Sequence, residues 1–213
     1  MSVRRLKGSP ELGRTPTVRT RRTPRTVIGL ALFFLALSSV HAAPPSVRLP
    51  DLDNRLVDPF LAGENAPAIV FLFTSVECPV SNRYAPVVQR LHQTFAARGA
   101  AFWLVYPAPS DSPQAIRDHL KAFGYPIHAL RDPKHELVKL AQATVTPEAA
   151  VYDRARTLAY RGRIDDRYVS LGVERPNPTK HDLQDALTAT FAGRRVSPPT
   201  TTAVGCYIAD FVR

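Results

Sequence analysis

Cysteine is scarce in this chain: two in 213 residues do not make a disulfide scaffold and leave either one bridge or two separately employed thiols. No cysteine follows the N-terminal apolar run, which excludes a lipid-anchored cleavage site there. That run also falls short of the roughly 20 apolar residues a spanning helix needs. The six histidines, His41, His92, His119, His128, His135 and His181, show no paired ligand spacing and read as surface or partly buried side chains. Internal repeats are absent. Acidic residues are rare at the start: the first 42 residues hold eight Lys and Arg against one Glu, so they carry +7 of the formal +10 and leave +3 for the rest. The basicity belongs to a segment that looks removable, which argues against a nucleic-acid role.

What is present begins with the pattern of an export signal. A basic stretch (Arg14, Arg19, Arg21, Arg22, Arg25) precedes an apolar run from Val27 to Leu37 and the small-residue site Val40-His41-Ala42. Residues 1–42 are expected to be a signal peptide cleaved after Ala42, with an uncleaved N-terminal membrane anchor as the alternative. Arg21-Arg22 suggests a twin-arginine signal, but Pro24 and Arg25 stand where that pattern has apolar residues. The expected location is periplasmic or extracellular, where disulfides persist. The remaining chain, 45% hydrophobic overall, suffices for one globular domain over 43–195, followed by a Pro/Thr-rich tail over 196–213 that carries Cys206.

Within the domain, Val47 to Phe60 reads as a short hairpin turning at Asp53-Asn54. Ala68 to Phe73 is a near-continuous apolar strand, as in the middle of a covered sheet. After Pro79, Tyr84, Val87, Val88, Leu91 and Phe95 form one stripe at helical spacing, with Pro86 expected to kink the axis. Ala101 to Tyr106 predicts a strand, Ser112-Pro113 a capped helix to about Phe123, and Pro126 to Leu130 another strand. Asp132-Pro133 predicts a helix start, and 149–153 with 158–163 an antiparallel pair. Asp165 to Pro178 predicts a loop, with the Asp165-Asp166-Arg167 cluster solvated, and Thr179 with Asp182 a capping box for a last helix to about Phe191. Strands alternating with helices, then a closing hairpin and helix, predict an α/β domain: a central mixed β-sheet with helices on both faces and an N-terminal β-hairpin extension.

The segment Phe73-Thr74-Ser75-Val76-Glu77-Cys78-Pro79-Val80-Ser81 carries the chemistry. An apolar strand delivers Cys78 to the start of a helix, a position that favours the thiolate nucleophile of disulfide exchange. A buried structural cysteine is the bland alternative. This segment, Pro86 eight residues past the cysteine, and Thr146-Pro147 together resemble the thioredoxin superfamily, in its exported TlpA-like and redoxin (AhpC/TSA-type) branch. The resemblance spans about Val47 to Ala192 and implies a thioredoxin-like fold.

The resemblance further implies that Cys78 attacks a disulfide or oxidised sulfur, and that Thr146 before a cis Pro147 pairs with a bound peptide. Partners implied are protein thiols or disulfides, or a small oxidised thiol, with an external electron donor and no cofactor or metal. Departures matter as much. Ser81 replaces the second cysteine, so it can hydrogen-bond the Cys78 thiolate but cannot resolve a mixed disulfide. Glu77 replaces the usual tryptophan, Leu72 stands where thioredoxins often bury an aspartate, and Tyr84 where TlpA-like proteins often carry a glutamate. Cys206 is the remaining sulfur: either it resolves the intermediate at Cys78 across a loop of 128 residues, or it is a free thiol on a tail.

Three rival readings stand beside exchange. Peroxide reduction matches Ser75, three residues before the cysteine, but lacks the proline expected at Phe71. A Sco-type copper site would need a cysteine at Asn82 and a histidine near Tyr152-Asp153-Arg154. A non-catalytic binding module on the same fold is the third.

Overall fold

The computed structural model describes residues 45–209, and the expected signal peptide, its cleavage site and the alternative anchor lie outside them. The elements follow in chain order: β1 (Leu49–Pro50), β2 (Leu56–Val57), α1 (Pro59–Ala62), β3 (Ala68–Phe73), α2 (Pro79–Arg83) and α3 (Ala85–Ala96). Next come β4 (Ala101–Tyr106), α4 (Pro113–Ala122), β5 (His128–Arg131), α5 (Glu136–Ala141), β6 (Val145–Thr146) and β7 (Glu148–Asp153). The chain closes with β8 (Leu158–Gly162), β9 (Tyr168–Ser170), β10 (Val173–Glu174), α6 (Asp182–Phe191) and β11 (Cys206–Tyr207).

Five strands form a mixed sheet in the order β5-β4-β3-β7-β8, parallel from β5 to β3 and antiparallel beyond. The central strand β3 is buried at every residue, because alternate side chains enter cores on opposite faces. Val70 and Leu72 pack with Val88, Leu91 and Phe95 of α3, Ile116 of α4 and Leu183 and Leu187 of α6. Ile69, Phe71 and Phe73 pack with Phe60 of α1 and Leu137, Val138 and Ala141 of α5. There Phe60, Phe71 and Tyr152 meet edge to face at centroid distances of 5.3, 5.0 and 5.7 Å. Each such ring contributes on the order of 1.5–3 kcal/mol by leaving water. This is the thioredoxin-like mixed α/β fold, with β1 and β2 as the antiparallel N-terminal hairpin and Asn54 at positive φ in its turn.

Several local expectations are corrected. The helix after Cys78 is not one kinked helix: α2 ends at Arg83 and α3 restarts at Ala85, with Pro86 in its first turn. A proline has no N–H for the Asn82 carbonyl, so the chain breaks at Tyr84 and places the ring where no hydrogen bond is lost. Asp132-Pro133 does not open a helix; α5 begins at Glu136 after a left-handed His135, and the Asp132 carboxylate accepts from the N–H groups of Glu136 and Val138 at 2.7 and 2.9 Å.

The capping box at α6 is absent as well. Thr179 donates its hydroxyl to Asp166, Asp182 pairs with Arg163 at 2.7 Å, and α6 begins at Asp182 itself. The 165–178 loop contains the β9–β10 hairpin. Its acidic pair is not solvated: Asp165 and Asp166 are buried, and each carboxylate is spent on hydrogen bonds within the protein. Nor is the tail loose. It docks along β8 and then forms β11, which pairs antiparallel with β6.

Candidate active site

Cys78 caps α2 at the end of the turn that leaves β3, and it is 2% exposed. Although α2 has only five residues, the Ser81 N–H in its first turn hydrogen-bonds the sulfur and favours the thiolate. The neighbouring side chains add to this. Cys78 Sγ lies 3.0 Å from the Thr146 carbonyl oxygen and 2.8 Å from Cys206 Sγ, and both thiols are free. The register explains the meeting: Cys206 of β11 is the cross-strand partner of Thr146 in β6, next to the cis Thr146–Pro147 bond. Cys78, Thr146, Pro147 and Cys206 therefore converge from three separate parts of the chain.

The two sulfurs are electrostatically unequal. Burial raises the Cys78 thiol, but hydrogen bonds from Cys206, the Ser81 side chain and Thr146 outweigh it and hold that thiol below its ordinary value. The Thr146 carbonyl, an acceptor only, favours the protonated form, so the lowering comes from the Cys206 thiol, the Ser81 and Thr146 hydroxyls and the Ser81 N–H. The Ser81 hydroxyl is buried and has no well-formed partner among the described residues, leaving it free to donate to a Cys78 thiolate. Cys206 is pushed up to about 12, first by burial and then by serving as donor to Cys78. One sulfur is thus predisposed to the thiolate and the other to the thiol.

The departures from the thioredoxin pattern now have places. Glu77 is exposed, Leu72 fills the core, and the Tyr84 hydroxyl donates to Asp165 Oδ1 at 2.6 Å. Phe71, where a peroxidase would need proline, is fully buried in the second core. Asn82, where a copper site would need cysteine, accepts from His119 Nε2 at 2.7 Å and donates to the Val76 carbonyl at 3.2 Å. His119 and His135 are buried rather than superficial. Among the described residues no group of three or more His, Cys, Asp or Glu side chains is arranged to hold a metal ion.

Three supporting residues escaped sequence reasoning. Asp111 is buried and accepts from the Val76 N–H at 3.4 Å; burial raises its carboxyl, against hydrogen bonds from Val76 and Ser75 that lower it. His119 steadies Asn82, and Glu148 grips the strand before the cis proline through the N–H of Thr144 at 2.7 Å. The sequence signal at Glu148 was a charged residue inside an apolar strand, directly after Thr146-Pro147. Beside the sulfurs lies a cavity of about 160 Å³ lined by Ser75, Glu77, His135, Thr146, Cys206 and Tyr207. Cys206, not Cys78, faces it.

Two solved structures resemble this protein along most of their length. A hypothetical protein from Sinorhizobium meliloti shares 25% identity at a TM-score of 0.67, over 79% of this chain and 94% of that one. An uncharacterized conserved protein from Geobacillus kaustophilus shares 25% identity at a TM-score of 0.67, over 81% and 92%. DsbF from MTB, solved in mixed oxidized and reduced forms, shares the fold at 16% identity and a TM-score of 0.51, over 68% and 94%. No curated protein matches the chain. The AhpC/TSA family pattern matches residues 40–161, more than half of the sequence, and the chain belongs to that family.

Proposed function

We propose that the protein is an exported thiol-disulfide oxidoreductase in which Cys78 is the nucleophile and Cys206 the resolving thiol. The observation that carries this reading is the 2.8 Å approach of the two sulfurs. In the reductive direction the Cys78 thiolate attacks one sulfur of a substrate disulfide, and the departing substrate thiolate takes up a proton. Cys206 then loses its proton and attacks Cys78 Sγ, forming a Cys78–Cys206 disulfide and releasing the second substrate thiol. Substrate disulfide becomes dithiol, protein dithiol becomes disulfide, and an external dithiol donor reverses the protein's change. Cys206 takes the part that Ser81 cannot, since a hydroxyl does not exchange with a disulfide.

Membership of the AhpC/TSA family and the low Cys78 thiol support the chemistry. The basic, apolar and small-residue order of the first 42 residues supports export. Peptide mapping of the air-oxidised, unreduced protein tests the pair: the expected product is one linked peptide joining Cys78 to Cys206. Cys206→Ser is expected to accumulate mixed disulfides at Cys78, and Cys78→Ser to abolish exchange. A protein that exchanges as fast after Cys206→Ser as before would refute the resolving role.

A further inference from the structure

The C-terminal segment is seated by a specific set of contacts. Arg161 N–H donates to the Pro199 carbonyl and Thr201 N–H to the Arg161 carbonyl, each at 3.0 Å, while Thr201 Oγ1 lies 2.6 Å from the Tyr160 hydroxyl. Further on, Cys206 pairs with Thr146, Tyr207 with Val145, and the Ile208 N–H donates to the Thr144 carbonyl at 3.0 Å. The segment runs parallel to β8 at Thr200, and its end, β11, is an antiparallel addition to β6 that brings Cys206 to Cys78.

Its side chains are held unequally. Gly205 is buried against β6, and a Cβ there would fall on the Thr146 carbonyl group, 2.6 Å from its carbon. That obstacle is backbone, so it cannot swing aside as a side chain would. Tyr207 is 84% exposed and unconstrained. Ile208 packs on the second core, beside a depression floored by Val138 and Ala143 and rimmed by Lys139, Gln142 and Thr144. Reading outward from the sulfur, the slot demands no side chain before the cysteine, accepts any residue after it, and favours an apolar residue two after it.

We propose that residues 204–208 occupy in cis the slot of a substrate strand, and that the slot selects protein or peptide disulfides with the pattern Gly-Cys-x-apolar. This rests on Cys78 being an exchanging nucleophile. A substrate sulfur reaching Cys78 in the same register lays the preceding residue where Gly205 lies, so any larger residue meets the Thr146 carbonyl. Because Cys78 is buried beneath the tail, substrate also has to displace that tail.

The test uses full-length protein carrying Cys206→Ser and blocked peptides whose cysteine is activated as a 2-pyridyl mixed disulfide. The Cys78 thiolate attacks the peptide sulfur, the activated S–S bond breaks, and pyridine-2-thione leaves with its proton and reports the rate by absorbance. Gly-Cys-Tyr-Ile is expected to react about tenfold or more faster than Ala-Cys-Tyr-Ile, since overpacking against backbone is costly, and faster than Gly-Cys-Tyr-Lys. Adding Gly205→Ala to Cys206→Ser loosens the cis occupant and is expected to speed the Gly-Cys peptide while keeping its preference. Equal peptide rates would overturn the selectivity, as would reaction with a small symmetrical disulfide but with no peptide. Failure of Cys78 to react even with that small disulfide would instead remove the exchange reading on which the selectivity rests.

Discussion

Glu148 Oε2 accepts the backbone N–H of Thr144 at 2.7 Å, from a residue directly after the cis proline. The same carboxylate accepts from the Thr144 hydroxyl and the Val145 N–H, at 3.3 Å each, and its other oxygen pairs with Arg161 at 3.1 Å. A buried charge therefore ties β6 to β8, the two strands on which the C-terminal segment docks. Glu148→Ala leaves Arg161 with the Gln142 carbonyl but no counter-charge, and takes the side-chain acceptor from two N–H groups. It should cost about 3–5 kcal/mol of stability, read as a lowered urea midpoint, and should also slow Cys78–Cys206 disulfide formation under mild oxidant. Glu148→Gln keeps the shape and should lose less in both measurements.

The unequal sulfurs predict a two-step titration. Thiolate absorbance should rise first for Cys78, below the ordinary thiol range, and again at about 12 for Cys206. Cys206→Ala removes the donor that stabilises the Cys78 thiolate, so the first step should move to higher pH. Cys206→Ser keeps a donor and should move it less. A first step that stays in place in Cys206→Ala would show that Ser81 and Thr146 suffice without the second sulfur.

The sheet was legible because its strands are short apolar runs bounded by turn residues, as Ala68 to Phe73 shows at every position. The cysteine pair was only half legible. The spacing of Cys78 and Ser81 states that a sulfur is missing, but nothing local to Cys206 says that it pairs with Thr146, since β11 is two residues long and its register is set by Gly205 against the Thr146 backbone. Thr179 and Asp182 misled for the opposite reason. Their spacing suits a capping box, yet Asp166 and Arg163, distant in sequence, offer charged partners that outcompete local capping.

A buried relay predicts a pH effect on stability. The Tyr106 hydroxyl and His119 Nδ1 lie 2.9 Å apart, and His119 Nε2 donates to Asn82, so the ring is neutral with its proton on Nε2. Burial lowers its pKa from 6.5, and a depressed pKa contributes stability that is present above that value and lost as pH falls through the folded one. His119→Gln should therefore lower stability at pH 7.5 by roughly 1–2 kcal/mol of lost hydrogen bonding, read as a lower Tm. Wild type and variant should converge as the pH is taken to 5, because only the wild type then pays to charge a buried ring. Parallel Tm curves across that range would exclude His119 as the titrating group.

Gly162 gives the strongest control over the tail without touching either sulfur. Its φ is +149°, and a Cβ there would collide with the Thr201 backbone, 2.8 Å from its nitrogen. Gly162→Ala should therefore release the 199–201 contacts while β7 and β8 remain paired through Val151 and Tyr160. Freed at that point, the strand carrying Cys206 should dwell less at Cys78, so disulfide closure under limiting oxidant should slow. Reaction of Cys78 with a small alkylating reagent should speed up several-fold, since the tail covers that sulfur. Both changes arise from one event, so their ratio identifies it. A variant that slowed closure without exposing Cys78 would indicate a distorted β8 rather than an undocked tail.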